Sequence, residues 1–379
     1  MSYRLICEDC GQEHDTTTYR VHCESCGGLF DAEYSGENTT DLGRRSGVRG
    51  IAKYLATLPI TDPANFVSMG EGDTPVIPLP RVAQLLGLSH VDGKLEYVNP
   101  TGSFKDRGNA VQVSVLKELG VTEVEHITGG NQGHSFAAYC ARAGITYHGF
   151  PLKAGEFHPK IQAIAFHGTK MHWVDGDRAV ANDEARRFAE DTGVLQMEYE
   201  QNIYFVEGQK TMAYEIGDDL DYLPDHVIVP VGQGSILLGL WRGFKEMVAD
   251  GRIARIPKLY GVQTEETQPI VAAYEGRKWT PYLGTATSSA NGIGVKSPPR
   301  IGSLVAALTE SGGRPVTVSE TSLRSWQKRL AELEGLFIEP TSAIVLGALE
   351  NLKEQNYIKN HETVLLPFTG FGMKEPIPQ

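Results

Sequence analysis

The chain has 379 residues, a formal net charge of −12 and a hydrophobic fraction of 41%, so it is long enough for two or three domains with ordinary cores. The acidic balance argues against a nucleic-acid partner, because phosphate binding needs a basic surface. No stretch approaches the roughly 20 apolar residues of a membrane span, and the N-terminus lacks a signal-peptide pattern, so we expect a cytoplasmic protein with no membrane partner.

Two Cys-x-x-Cys pairs open the chain, Cys7 with Cys10 and Cys23 with Cys26, and twelve residues separate them. Four thiolates on two tight turns are typical of a tetrahedral zinc site. Because such a site leaves no coordination position open, its zinc would be structural. Four unligated thiols or two disulfides are the alternatives, and a reducing cytoplasm disfavours the disulfides. We predict a zinc-ribbon module over residues 1–36.

Beyond a linker-like stretch at about 41–80, short β-branched runs alternate with helical patterns. Strands are predicted at 124–128, 146–150, 227–231 and 363–367, and helices at 110–119, 135–143, 179–191, 236–248 and 322–333. This alternation predicts an α/β protein with an open parallel sheet and helices on both faces. The pattern alone leaves open whether there is one such sheet or two.

The segment NPTGSFKDRG at 99–108 places Lys105 in a polar turn just before a predicted helix. Unpaired N–H groups and the positive end of the helix dipole disfavour protonation there, so the amine is a candidate nucleophile. A solvated surface lysine is the alternative from position alone. The segment closely resembles the cofactor-lysine motif of the threonine synthases, which are fold-type II pyridoxal-phosphate enzymes. The resemblance implies that Lys105 forms the Schiff base with pyridoxal 5′-phosphate.

The resemblance extends over nearly the whole chain. EGDTPV at 71–76 is similar to the family's EGNTPL, GKLEYV at 93–98 to the strand before the lysine motif, and EGLFIEPTSA at 334–343 to EGxFxEPxSA. Some threonine synthases also carry a cysteine ribbon with a CGGLLD-like ending, which CGGLFD at 26–31 resembles.

This resemblance implies two open parallel-sheet α/β domains, with the cofactor in the cleft between them, after the N-terminal zinc ribbon. We expect a large pyridoxal-phosphate-binding domain at 37–75 and 190–379, and a smaller α/β domain at 76–189 that carries the Schiff-base lysine. A homodimer is also expected, because fold-type II enzymes are often dimers.

Ligands of open parallel sheets bind where strands end and helices begin, and three loops fit that description. The first, TGGNQGHS at 128–135, has glycines and a helix N-terminus that suit a carboxylate. It resembles the STGNTSAS loop of threonine synthases, which implies that Asn131 contacts the cofactor's phenolic oxygen. The substrate-binding candidates are Thr128, Gly129, Gln132 and His134. An ordinary glycine-rich turn, with His134 as a solvent-facing cap, is the alternative.

The second loop comprises Gly232, Gln233, Gly234 and Ser235, between a predicted strand and a predicted helix. It resembles the family's VGNGGN phosphate cup, so its N–H groups and the Ser235 hydroxyl are expected to bind the cofactor phosphate. The third, TGFG at 369–372, resembles TGHGLK, which implies that Thr369 hydrogen-bonds the pyridine nitrogen. A neutral partner at that nitrogen makes the cofactor a weaker electron sink.

The resemblance implies a pyridoxal-phosphate-dependent elimination or replacement on a small amino acid. The nearest family reaction, that of a carbon–oxygen lyase, converts O-phosphohomoserine and water to threonine and phosphate. Phe205 stands where the family's RLEGQKT has an arginine, and Gly129, Gln132 and Gly133 stand where it has hydroxyls. Such losses weaken phosphate recognition, since each charged hydrogen bond is worth about 1.5–3 kcal/mol.

An alternative is therefore a β-elimination or β-replacement enzyme that acts on an amino acid without phosphate. Ammonia-lyases, dehydratases and cysteate- or cysteine-synthase-like enzymes are of this kind. A zinc-ribbon binding module on an inactive scaffold is disfavoured by the joint presence of Lys105, Asn131 and Thr369. A nucleotide-binding protein is disfavoured because GxxxxGK[ST] is absent and Gly239 is misplaced for GxGxxG.

Overall fold

A computed structural model describes residues 2–35, 47–127, 129–198, 201–280 and 288–375. Its strands are β1 Ser2–Cys7, β2 Glu13–His14, β3 Phe30–Ser35, β4 Val76–Pro78, β5 His90–Lys94, β6 Glu123–His126, β7 Thr146–Gly149, β8 Lys170–Met171, β9 Leu195–Gln196, β10 His226–Pro230, β11 Lys258–Thr264, β12 Arg314–Val318 and β13 Thr363–Pro367. Its α-helices are α1 Pro80–Leu86, α2 Lys105–Glu118, α3 Asn131–Ala143, α4 Pro159–Phe166, α5 Arg178–Thr192, α6 Ile203–Asp219, α7 Ser235–Ala249, α8 Pro269–Tyr274, α9 Ile301–Glu310, α10 Glu320–Glu334 and α11 Pro340–Glu354. Among the helices of these residues, none combines the length and the apolar composition needed to cross a membrane.

The chain folds as two compact units. Unit 1 comprises Met1–Gly72 and Asn99–Gly208, and unit 2 comprises Asp73–Val98 and Gln209–Gln379. This division differs from the predicted boundaries in three places. The described residues 47–72, predicted in the large domain, belong to unit 1, where Ile51 and Val67 pack in one core with Val111 of α2. Residues 76–98 belong to unit 2 because β5 pairs in parallel with β13, and residues 190–208 belong to unit 1 because β9 pairs with β6.

Unit 1 contains a parallel four-stranded sheet in the order β8-β7-β6-β9. Its apolar core includes Val111 of α2, Phe136 and Tyr139 of α3, and Tyr147 of β7, all of them buried. A separate antiparallel sheet in the order β2-β1-β3 carries the cysteine pairs at its ends. The segment 2–35 that contains this sheet is here called the ribbon.

Unit 2 contains a six-stranded sheet in the order β12-β11-β10-β13-β5-β4, in which only β4 runs antiparallel to its neighbour among the described strands. Its core surrounds the fully buried Trp326, Ile344 and Phe368. Since β10 and β13 are parallel neighbours, the loops that follow them leave the same edge of the sheet.

The strongly patterned elements lie close to their predicted positions. The strand predicted at 363–367 is β13 to the residue, and the helix predicted at 322–333 is α10. α10 begins where the Ser319 hydroxyl accepts a hydrogen bond from the Ser322 N–H, and it ends at Gly335, whose φ of 73° suits glycine. The sequence left the number of parallel sheets open, and the structure contains two.

Two glycines of α7 allow α6 to pack closely against it within unit 2. A Cβ added at Gly239 would lie 2.5 Å from the Cβ atom of Gln209, and one added at Gly243 would lie 2.6 Å from the carbonyl oxygen of Lys210. Positions four residues apart share one helix face, so both glycines face the same stretch of α6. Gly239, which is misplaced for a dinucleotide motif, therefore has a packing role.

We expect Gly239→Ala to lower the free energy of unfolding by about 1–3 kcal/mol, because the added methyl group has no room. Gly302→Ala in α9 is the matched control, since a Cβ added there meets no atom within 4 Å. That change should be neutral or stabilising by up to about 1 kcal/mol, as alanine favours helix more than glycine does. Urea unfolding followed by circular dichroism measures both, and equal effects would contradict the packing role.

Candidate active site

Lys105 is the first residue of α2, and its amine lies near two aromatic rings of unit 1. Its Nζ atom is 4.7 Å from the ring centroid of Phe104 and 5.2 Å from that of Phe205. The lysine side chain is half-buried. The candidate nucleophile is therefore partly shielded from water at a helix N-terminus. The helix start agrees with the prediction, but aromatic rings flank the amine where a polar turn was expected.

The residue after the lysine, Asp106, fixes the preceding loop and is fully buried. Its carboxylate accepts hydrogen bonds from the Thr101 N–H at 2.7 Å, the Thr101 hydroxyl at 2.5 Å and the Ser135 hydroxyl at 2.5 Å. A buried carboxylate needs such partners because an unpaired buried charge is costly. Sequence reasoning did not single out Asp106, although an acidic residue in a first helical turn downstream of Thr101 was an available signal.

Phe205 is buried in the first turn of α6 and packs against the start of α2. A Cβ added at Gly108 would lie 2.4 Å from its ring, so Gly108 makes room for the aromatic side chain. The phenylalanine that replaces the family's arginine thus lies beside the candidate lysine. An apolar ring at this position offers neither charge nor a hydrogen bond to a phosphate group.

The candidate substrate loop of unit 1 leads into α3. Its Gly129 faces Ile161 of α4, whose Cδ1 atom would lie 2.7 Å from an added Cβ, so a larger residue here would require the end of the Ile161 side chain to move. Gly130 precedes α3 without a side-chain cap, which leaves first-turn N–H groups available to an anion. Asn131 is the first residue of α3. Thr128, also predicted to bind substrate, lies outside the described residues.

The two other predicted substrate-binding residues have different surroundings. Gln132 is 3% exposed, and its side-chain amide pairs with that of Asn109. Gln132 Nε2 donates to Asn109 Oδ1 at 3.0 Å, and Asn109 Nδ2 donates to Gln132 Oε1 at 3.4 Å. His134 is half-buried and stacks on His167, with 5.4 Å between ring centroids. Burial lowers the pKa of His167, so this ring stays neutral at physiological pH.

Glu71, which opens the EGDTPV segment, is a buried acid of unit 1. The Tyr139 hydroxyl and the Met69 N–H donate to its Oε2 atom at 2.6 and 2.9 Å. Burial raises the pKa of the Glu71 carboxyl, and these two hydrogen bonds oppose the shift. Glu71 therefore links the chain before the lysine motif to Tyr139 of α3.

In unit 2, the predicted phosphate loop connects β10 to α7. Gly234 is the N-cap of α7, with a φ of 92°, and no side chain caps the helix. This φ favours glycine, and an added Cβ would also meet Leu304 of α9 at 2.2 Å. Gln233 is half-buried, and the Ser235 hydroxyl stands in the first helical turn. An uncapped N-terminus after a parallel strand is a favourable place for a phosphate dianion.

Thr369 follows β13 and is 3% exposed. Its hydroxyl lies 2.8 Å from the Oγ atom of Ser342 in the first turn of α11, and that Oγ atom also accepts from the Gly370 N–H at 2.9 Å. The side chain is thereby fixed within unit 2. Because β10 and β13 are adjacent, the Gly232 loop and Thr369 lie at the same edge of the sheet.

The four cysteines of the ribbon form one cluster, in which all four sulfur atoms lie within 4.8 Å of one another. Cys7 and Cys26 are 3.5 Å apart, and Cys10 and Cys23 are 3.7 Å apart. These separations exceed a disulfide bond and match the roughly 3.8 Å between ligands of a tetrahedron with 2.3 Å metal–sulfur bonds.

These groups fit pyridoxal 5′-phosphate. Unit 2 offers an uncapped helix N-terminus for the phosphate and a fixed neutral hydroxyl for the pyridine nitrogen. Unit 1 offers the amine of Lys105. Two residues before it, the buried Ser103 hydroxyl has no hydrogen-bond partner among the described residues, so this donor is available to a bound polar group.

Comparison with known proteins supports this fit. A family model described as "Pyridoxal-phosphate dependent enzyme" matches residues 67–370. A threonine synthase from Methanocaldococcus jannaschii is 35% identical, over 98% of this chain and 92% of its own. One from Methanosarcina acetivorans is 33% identical, over 99% of this chain and 93% of its own.

Solved structures with the same fold include enzymes with other names. Maize serine racemase matches with a TM-score of 0.67 and 18% identity, over 79% of this chain and 89% of its own. The processed form of threonine deaminase isoform 2 from Solanum lycopersicum matches with a TM-score of 0.68 and 20% identity, over 79% of each chain. At these identities the similarity establishes the fold alone.

We expect Asp106→Asn to lower the free energy of unfolding by about 1–3 kcal/mol, because an amide cannot accept all three hydrogen bonds and its N–H₂ group faces the Thr101 N–H. Asp62→Asn is the matched control: Asp62 caps an exposed turn, and asparagine caps equally well. Urea unfolding measures both variants. An Asp106→Asn protein as stable as the wild type would refute the role of this carboxylate.

Proposed function

Because this chain belongs to the pyridoxal-phosphate dependent enzyme family, we propose that it carries out the reaction of a threonine synthase, from O-phosphohomoserine and water to threonine and phosphate. The chemistry is a pyridoxal-phosphate-dependent elimination and replacement on an amino-acid side chain. The proposal rests on the similarity to threonine synthases over almost the entire chain. The racemases and deaminases resemble it in fold only.

We assign to Lys105 the covalent attachment of the cofactor and the movement of the proton at the substrate's Cα. Its half-buried position at a helix N-terminus supports this role, because partial desolvation and the helix dipole both favour a neutral amine. When bound, pyridoxal phosphate delocalises the electron pair that proton removal leaves on the substrate. Lys105 then returns protons from the same amine as the side chain is altered.

We assign the cofactor phosphate to the N–H groups of Gly232–Ser235 and the Ser235 hydroxyl, the pyridine nitrogen to Thr369, and the phenolic oxygen to Asn131. The uncapped start of α7 supports the first assignment. The fixed hydroxyl of Thr369 supports the second. A hydroxyl, unlike a carboxylate, leaves the pyridine nitrogen largely unprotonated, which suits elimination with a modest electron sink.

We assign the substrate carboxylate to the first turn of α3 and keep Gly129, Gln132 and His134 as substrate-binding candidates. Thr128, the fourth candidate, lies outside the described residues. Uncapped N–H groups at Gly130 support this assignment. His134 is held by its stacking on a neutral His167, so it can present one ring edge to a substrate.

Phe205 favours a second candidate function, a β-elimination or β-replacement on an amino acid without phosphate. Its buried ring lies near the amine of Lys105, where the family's arginine would pair a phosphate. The two functions differ in the leaving group, on Cγ for the first and on Cβ for the second.

We propose that the ribbon binds one structural zinc through Cys7, Cys10, Cys23 and Cys26. The sulfur separations and the two Cys-x-x-Cys turns support a closed four-thiolate site. We also propose a homodimer, which light scattering of the purified protein tests directly.

We expect purified protein to show the yellow absorbance of lysine-bound pyridoxal phosphate, and Lys105→Ala to lack it. Lys117→Ala, near the other end of α2, is the matched control and should keep the band. Addition of O-phosphohomoserine should shift the band and release phosphate and threonine. A shift only with serine, threonine or phosphoserine would favour the second candidate, and protein that never takes up the cofactor would exclude both.

We expect about one zinc per chain by elemental analysis, and its loss in Cys10→Ser, since three thiolates leave the tetrahedron incomplete. Cys140→Ser is the control because Cys140 is buried in α3, away from the ribbon's cluster. It should retain the metal. Metal-free wild-type protein with unchanged thermal stability would refute the structural zinc.

A further inference from the structure

A chain of buried side-chain amides runs through unit 1 from the ribbon to α3. It begins at Tyr19, between the two cysteine pairs, whose hydroxyl accepts from Asn202 Nδ2 at 2.7 Å. The same Nδ2 group donates to Gln112 Oε1 at 3.4 Å, and Gln112 Nε2 donates to Asn109 Oδ1. The paired amides of Asn109 and Gln132 complete the chain in the first turn of α3.

The members of this chain are shielded from solvent. Gln112 and Asn109 are 0% exposed, Asn202 is 2% exposed, and Gln132 is 3% exposed. Hydrogen bonds in a low-dielectric interior are stronger, and a buried amide that loses its partner is costly. Loss of a hydrogen bond at one end of the chain therefore leaves the neighbouring amide with an unsatisfied donor or acceptor.

The ribbon is docked on the same part of unit 1 by further polar contacts. The Tyr19 hydroxyl also donates to the sulfur atom of Met197 at 2.9 Å, and the Tyr34 hydroxyl donates to the buried Glu207. The Tyr3 hydroxyl lies 3.5 Å from that of Tyr204, which meets the amide chain through its backbone, because the Tyr204 N–H donates to Asn202 Oδ1 at 2.8 Å. Among these described hydrogen bonds of the ribbon, only the bond between Tyr19 and Asn202 continues through side-chain amides to Gln132.

We propose that Asn109 and Gln112 are positioning residues for the substrate loop, and that the ribbon completes their hydrogen bonds through Tyr19. Gln132 then acts by holding the first turn of α3, since both polar atoms of its amide are bonded to Asn109. The ribbon thus sets the geometry of the anion-binding turn at 129–134. The inference takes its substrate from the proposed function. Its hydrogen bonds are those described above and do not depend on that function.

The test compares Tyr19→Phe with Tyr3→Phe in the pyridoxal-phosphate-loaded protein. Each variant removes one ribbon hydroxyl, but only Tyr19→Phe breaks the amide chain. We expect Tyr19→Phe to raise amide hydrogen exchange in peptides covering 129–135 by roughly threefold to tenfold, the effect of one buried hydrogen bond. The KM for O-phosphohomoserine should rise by a similar factor with kcat changed less than twofold. Tyr3→Phe should leave both quantities at wild-type values.

A second variant, Gln112→Met, breaks the chain closer to the loop while conserving volume. The double variant Tyr19→Phe/Gln112→Met should exchange no faster at 129–135 than Gln112→Met alone, because both changes act through one pathway. Additive effects, or equal exchange in Tyr19→Phe and Tyr3→Phe, would overturn the proposal. The exchange measurement needs no turnover, so failure of the threonine-synthase assignment would appear separately, as absent phosphate release.

Discussion

A buried carboxylate holds the candidate lysine in place. Asp106 follows Lys105 directly, and its three hydrogen bonds reach back to Thr101 and across to Ser135 of α3. The cost of burying a charge makes these bonds obligatory, so the loop before the lysine has one stable arrangement. The backbone at Lys105 is consequently held between the bonded loop at Thr101 and the first turn of α2, and the long side chain extends from this fixed start.

Three glycines also shape the surroundings of the site, because a side chain added at any of them would displace a neighbouring residue. Gly108 makes room for Phe205 beside the lysine, and Gly129 makes room for Ile161 beneath the substrate loop. In unit 2, Gly234 lets the loop after β10 turn against Leu304. In each case the glycine brings backbone N–H groups or an apolar ring nearer to the site than an alanine would allow. The glycines of these motifs therefore also determine how closely neighbouring side chains can pack.

The sequence predicted those features that depend on local pattern. β13 and α10 were predictable because a β-branched run and a capped amphipathic helix each carry their own signal. The two-residue strands β8 and β9 were not, since a period cannot be recognised over so short a stretch. The unit boundaries were displaced because sequence order does not reveal that β4 and β5 join the sheet of β13.

The site shows the same limit. Lys105, the Gly232 loop and Thr369 were identified from motifs, and the structure puts each at a helix start or a strand end. Asn109 was missed because its partner Gln132 lies far along the chain, whereas Asp106 was missed although Thr101, which donates to it twice, precedes it closely.

The ribbon illustrates why such partners matter for function. A buried amide chain is stable only when every donor and acceptor is matched, and an unmatched amide costs about 1–3 kcal/mol. Asn202 donates both to the Tyr19 hydroxyl and to Gln112, so residues 2–35 bond to a polar network that extends to the candidate substrate loop. The zinc site that we propose for the ribbon would suit this task, because ligand bonds fix loops without a large apolar core. In this proposal the rigidity of the ribbon is passed to the first turn of α3, to which we assign the substrate carboxylate and where N–H groups in a constant position are required.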